Sequence, residues 1–84
     1  MVYGDLENKG LEQAVGIIQA VDVPGRMLTI VVNGVSTVFD IAPDCAIVLR
    51  GERVKLRLVQ PSDTAHLVYR QTTEGRKAQV VEVS

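Results

Sequence analysis

Tryptophan is absent from this 84-residue chain, while cysteine, histidine and phenylalanine occur once each beside two tyrosines. Each shortage excludes a kind of chemistry. One thiol, Cys45, rules out an intrachain disulfide and any structural zinc site built from several cysteines, and free cysteine is usually a small buried apolar side chain. One histidine, His66, has no second His, Cys or Ser at a spacing that would form a nucleophilic pair or a metal set, so it reads as a surface or core-rim residue. The glycines are dispersed, and none forms a Gly-rich loop leading into a Lys-Ser/Thr pair, which excludes that mode of nucleotide binding. Asp22, Asp40, Asp44 and Asp63 all fall at strand ends or turns, where Asp bonds local backbone amides, so paired catalytic carboxylates are not in view. The expectation is a non-enzymatic domain with no cofactor and no metal. No apolar run approaches the ~20 residues needed to cross a bilayer, and the N-terminus lacks a basic stretch followed by an apolar one. A soluble chain without membrane insertion is expected, in a compartment the residues leave open.

What is present is strand. Apolar residues make up 46% of the chain and charged residues 23%, an ordinary globular balance. A chain of this length folds as one domain and buries roughly 60–65% of its unfolded surface. The clearest signal is Met27 to Ile41, two strand-like runs joined by Asn33-Gly34, both residue types suited to the positive φ values of a type I′ hairpin turn. Before it, Val15 to Asp22 is rich in β-branched residues and ends at the turn Val23-Pro24-Gly25-Arg26, while the polar residues 1–14 read as a tail or a frayed helical turn. In the second strand Leu28, Ile30 and Val32 share the core face. In the third, Val35, Thr37, Phe39 and Ile41 share one face, with Phe39 the central core aromatic. Ala42-Pro43-Asp44 breaks that strand, and a short apolar run, Cys45 to Leu49, ends at the turn Arg50-Gly51-Glu52.

The segment Arg53 to Val59 alternates Val54, Leu56 and Leu58 with Arg53, Lys55 and Arg57. The alternation favours extended structure that tightens near Val59, although Leu and Lys also suit one helical turn, and Gln60-Pro61-Ser62-Asp63 stops either form. Strands Thr64–Arg70 and Arg76–Val83 flank a loop over 71–75 that carries Gly75, with Ala65, Leu67 and Tyr69 facing inward. Ala78 and Val81 are both core candidates although they differ in parity, which implies a β-bulge or a twist between them. Closing these strands on one another removes exposed edges. The fold expected is therefore all-β, a small five- to six-stranded antiparallel barrel over residues 15–84, OB-like or alternatively SH3-like, preceded by a tail over 1–14.

The order of these features resembles the small bacterial OB-like barrel domains of uncharacterised function: a Gly-containing first strand ending in Val21-Asp22, an Asn-Gly hairpin, an irregular connector, Gln60-Pro61-Ser62-Asp63 opening a strand, and Ala78 to Val83 closing the chain. The likeness covers roughly residues 14–84 and implies the barrel. In that pattern the turn usually has Gly at the position Ser62 occupies. Related barrels that bind copper use His and Met with an aromatic neighbour, whereas Met27 and His66 stand alone here, so copper is not implied. Nor are the clustered aromatics of cold-shock-type barrels present.

Charge supplies the remaining signal. The net charge of −1 offers no general attraction to phosphate backbones or anionic membranes. Arg50, Arg53, Lys55 and Arg57 nevertheless crowd one segment, and in an extended conformation the last three form a stripe able to meet phosphates or an acidic partner. Tyr69 and Arg70 extend this candidate patch, with Arg76 and Lys77 beyond. Single-strand binding normally adds stacked aromatics worth ~1–3 kcal/mol per base, and only Tyr3, Phe39 and Tyr69 are available. Residues 1–42 carry a net −3 and residues 43–84 a net +2. These signs, with the sheet edges of a small barrel, favour a binding or assembly module acting through protein contact or homo-oligomerisation. The alternative is a single-stranded nucleic-acid-binding barrel using the basic strand.

Overall fold

The computed structural model describes residues 11–84. It contains β1 (Leu11–Asp22), β2 (Met27–Val32), β3 (Val35–Leu49), β4 (Glu52–Arg53), a one-turn 3₁₀ helix over Leu56–Leu58, β5 (Thr64–Thr72) and β6 (Gly75–Val83). The strand order β2-β1-β5-β6-β3, together with the β2–β3 pairing, closes five strands into a barrel, and β4 is an added edge strand beside β3. The expected barrel is present in its OB-like form. One junction, β3 with β6, is parallel within an otherwise antiparallel set.

Closure depends on strands that serve two neighbours. β1 pairs with β5 through Leu11–Ile17 and with β2 through Ile17–Asp22, and its register shifts between Ile18 and Ala20. Gly16 sits at this handover, where an added Cβ would run into the backbone carbonyl of Val31 and lie 2.7 Å from Ile30 Cγ2. The absence of a side chain is what lets β1 curl this close to β2. β3 likewise pairs first with β2 and then with β6, shifting register between Ile41 and Ala46. The expected break at Ala42-Pro43-Asp44 is thus a bend inside one long strand. Pro43, which has no N–H to give to a ladder, falls where the partner strand drops away.

Local chemistry sets the connections. Asn33 and Gly34 have φ values of 50° and 81°, as the type I′ turn requires. At the first turn Gly25 donates its N–H to Asp22 Oδ1 at 3.0 Å, but the left-handed residue is Arg26, at φ 53°. Ser62 is also left-handed, at φ 80°, where the resembling pattern has Gly. Its N–H donates to the Ile18 carbonyl at 2.8 Å, while the Ile18 N–H donates to the Asp63 carbonyl at 2.9 Å, so the β1 irregularity and this turn hold each other. The β5–β6 hairpin is tighter than expected, with strands reaching Thr72 and Gly75. β1 begins at Leu11, four residues before the expected start, and residues 1–10 of the expected tail lie outside the described residues.

Among the described residues the interior is apolar throughout. Phe39, Leu28, Ile30, Leu67 and Ala65 are fully buried, and the Phe39 ring meets Tyr69 edge-on with centroids 4.9 Å apart. Val32 and Tyr69 are packed against this core and only partly buried. Ala78 and Val81 both reach it because the β5–β6 register shifts, with Val68 opposite Val80 and Tyr69 opposite Ala78, leaving Gln79 as the extra residue.

The segment 53–59 departs from expectation. The paired strand ends at Arg53, Lys55 is still extended, and the 3₁₀ turn that follows brings Leu56 and Val59 into the core while Leu58 is exposed. Alternation therefore fails at Leu58. A three-residue helical period, not a two-residue one, decides which side chains are buried here.

Candidate ligand-binding site

At the barrel end closed by this 3₁₀ turn lies a cavity of about 380 Å³, partly open to solvent. Three separate pieces of chain wall it: the β1–β2 turn, the bend in β3, and the segment running from β4 into the 3₁₀ helix. Val23, Pro43, Ile47, Val54 and Leu56 supply apolar wall, Arg26, Lys55 and Arg57 supply charge, and Cys45 sits among them. Val54 is held in place by its N–H, which donates to the Ile47 carbonyl at 2.9 Å.

Arg26 organises the mouth. Its left-handed backbone turns the half-buried side chain toward β3, where Nε donates to the Ile41 carbonyl at 3.2 Å and Nη2 to the Ala42 carbonyl at 3.1 Å. The Arg26 carbonyl in turn accepts the Ile41 N–H at 2.8 Å. One arginine thus satisfies carbonyls freed where the β3–β6 ladder is interrupted. Nothing in the sequence marks Arg26 for this role beyond its position closing a Pro-Gly turn. Cys45 is 8% exposed and its thiol lies 3.7 Å from the Ala46 carbonyl. Burial pushes this thiol up to about 11, against the opposing pull of Arg26, with Asp44 adding to the rise and Arg53 opposing it. It is a protonated, packed thiol, as the sequence implies.

Of the residues expected to form a binding patch, Lys55 and Arg57 come together at the cavity. The others do not join them there. Arg50 occupies the β3–β4 turn at φ 50° and Arg53 ends β4. Tyr69 lies on β5 with its ring against Phe39 and its hydroxyl 3.4 Å from Glu12 Oε1. Arg70 follows it on β5, opposite Leu11 and Lys77. Lys77 itself is engaged by Asp40 at 3.4 Å and Glu74 at 3.5 Å, contacts that raise its pKa. Tyr3 lies outside the described residues. His66, half-buried on β5, bonds Gln13 Oε1 at 2.9 Å and faces Glu82 at 3.8 Å. Met27, on β2, is separated from it by β1.

Fold and cavity define a small OB-like barrel with a recess at one end. Known structures share that barrel. The chain is similar to apo-CusF from Escherichia coli (TM-score 0.70, 17% identity, 88% of this chain and 87% of that one). It is equally similar to CusF-Ag(I) from Escherichia coli (TM-score 0.71, 17% identity, covering 88% and 91%) and to a further Ag(I)CusF structure (TM-score 0.68, 17% identity, covering 88% and 97%). No family model matches the chain, and no curated protein matches it in sequence. At this identity the likeness is one of fold.

The expectation of a protein-contact or self-assembly module, with single-stranded nucleic acid as the alternative, is overturned on this point. Of the CusF barrels that share its fold, two hold Ag(I), a metal ion. The physical basis of the nucleic-acid alternative also falls away. The 3₁₀ turn breaks the extended stripe of Arg53, Lys55 and Arg57, and Tyr69 commits its ring to the core.

Proposed function

We propose that this domain is a small-ligand-binding barrel whose ligand seats in the cavity between the β1–β2 turn, the β3 bend and the 3₁₀ turn. The observation that carries this reading is the cavity itself, about 380 Å³ with an apolar wall and three cationic side chains. That size falls in the ~300–1,000 Å³ range of small-molecule sites, and an apolar wall with a few placed polar groups is their usual make-up. The binding of Ag(I) by CusF supports a small ligand as the general class.

A metal ion is the second reading that this likeness brings. The donors here do not fit one: among the described residues no three His, Cys, Asp or Glu side chains lie together. The cavity offers one thiol, protonated by burial and ringed by cations, where a metal needs deprotonated ligands.

The test is backbone amide NMR on the whole chain during titration with a small-molecule fragment set and, separately, Ag(I). Saturable shifts centred on Cys45, Ile47, Val54 and Leu56 are expected from at least one fragment. Stoichiometric Ag(I) binding lost in Cys45→Ser would instead carry the metal reading. If no fragment and no ion shifts these signals, the small-ligand reading is wrong.

A further inference from the structure

The charge around the cavity selects among small ligands. Arg26, Lys55 and Arg57 all line it, and among the described residues none of the three forms a salt bridge. Other cations in the molecule behave differently: Lys77 is shared by two carboxylates. Arg26 gives Nε and Nη2 to the Ile41 and Ala42 carbonyls, and no hydrogen bond engages its Nη1 among the described residues. Three cationic residues thus line one recess with no ion-pair partner among the described residues, and Asp44, the carboxylate that acts on Cys45, is outnumbered. That arrangement is relieved by an anion and aggravated by a metal cation.

The wall beneath those charges is apolar. Ile47 and Leu56 are almost fully buried at its floor, with Val23 and Val54 at its sides. A bare inorganic anion would satisfy the cations and leave this wall wet. An apolar neutral molecule would fill the wall and leave the cations unpaired.

Resting on the small-ligand reading, we propose that the cavity binds a small amphipathic organic carboxylate, its acidic head held by Arg26, Lys55 and Arg57 and its apolar body laid against Ile47, Val54 and Leu56. The planar guanidinium of Arg26, already fixed by two carbonyls, is suited to a carboxylate head because little further ordering is needed on binding. Lys55 and Arg57 are exposed and supply long-range attraction.

The probes are octanoate, acetate, octanol and octylammonium, each followed by amide NMR on the whole chain. Octanoate should give saturable shifts at Cys45, Ile47, Val54 and Leu56 at least about tenfold tighter than acetate or octanol, with octylammonium weakest, and its affinity should fall as salt rises. The double variant Lys55→Glu, Arg57→Glu should weaken octanoate by about tenfold or more, leave octanol unchanged, and preserve the amide spectrum of the fold elsewhere. Because both side chains are exposed, the variant should fold. As a check, Lys55→Gln, Arg57→Gln should give an intermediate loss. Octanoate no tighter than octylammonium, or octanoate unaffected by charge reversal, overturns the proposal. If octanol or Ag(I) shifts the cavity signals and octanoate does not, the carboxylate inference fails and the small-ligand reading stands. Silence from every probe sinks both.

Discussion

Replacing Gly16 with alanine places one methyl group where β1 passes closest to β2. Built on the existing backbone, that Cβ would collide with the Val31 carbonyl oxygen, lie 2.9 Å from the Val31 carbonyl carbon and 2.7 Å from Ile30 Cγ2. Carbon atoms in good contact sit about 3.5–4.0 Å apart, so the two strands must part by roughly 1 Å. Part of the obstruction is backbone, and no rotamer change relieves it. Overpacking of this kind costs about 1–3 kcal/mol, and stretching one or two neighbouring hydrogen bonds adds about 0.5–1.5 kcal/mol each. A loss of about 2–4 kcal/mol is expected from a domain whose whole stability, at this length, is on the order of 4–12 kcal/mol. Urea unfolding followed by circular dichroism reads it directly. With a slope of about 1 kcal/mol/M the midpoint should fall by about 2 M or more. Gly34→Ala is the control, because its φ is +81° but nothing lies within 4 Å of an added Cβ. It should lose only the ~1 kcal/mol of a left-handed non-glycine residue. Gly16→Ala losing less than about 0.5 kcal/mol, or no more than Gly34→Ala, would refute close strand approach as the reason for this glycine.

Ser62→Gly should stabilise the domain by roughly 0.5–1 kcal/mol, since relief of the left-handed strain at φ 80° outweighs the added freedom of the unfolded chain. A thermal melt should rise by a few degrees, and a fall would contradict the assignment. Phe39→Ala empties the centre of the core and should cost about 3–5 kcal/mol, read from the same urea curves. Cys45 should resist alkylation: with its pKa at about 11 instead of 9.0, the thiolate fraction at pH 8 is lower by about a hundredfold, and iodoacetamide labelling should speed up sharply on unfolding. The same shift links stability to pH. The unfolded thiol ionises first, so the domain holds its full stability below about pH 8, and loses up to about 2–3 kcal/mol as pH rises toward 11. Cys45→Ala should remove the slope between about pH 8 and 10, leaving above that the loss from Lys77, while an unchanged slope would place its origin elsewhere.

Much of the barrel was legible because its signals are local. Asn33-Gly34 names its own turn, Leu28 and Ile30 alternate with their neighbours, and the odd spacing of Ala78 and Val81 by itself announces a bulge. The site was far less so. Lys55 and Arg57 stand out in the sequence by charge, yet their neighbour Arg26 comes from a turn distant in the chain, and only the fold brings the three together. Leu56, Leu58 and Val59 show the same limit on a smaller scale. Alternation assigns Leu58 to the interior, but closing the end of a barrel demands a tighter period, and burial passes to Val59. Ser62 is a position where the sequence departs from the favoured residue and the backbone does not follow.

The parallel seam between β3 and β6 has a kinetic consequence. Hairpins such as β2–β3 close in microseconds, but this seam joins stretches far apart along the polymer and must wait for a slow, entropically unfavourable encounter. Until then two ladders stand with raw flanks. Amides bonded across the β3–β6 and β1–β5 junctions should therefore gain protection after those of the β2–β3 and β5–β6 hairpins in pulse-labelling exchange, and refolding at high concentration should lose material to aggregates before the ring has shut.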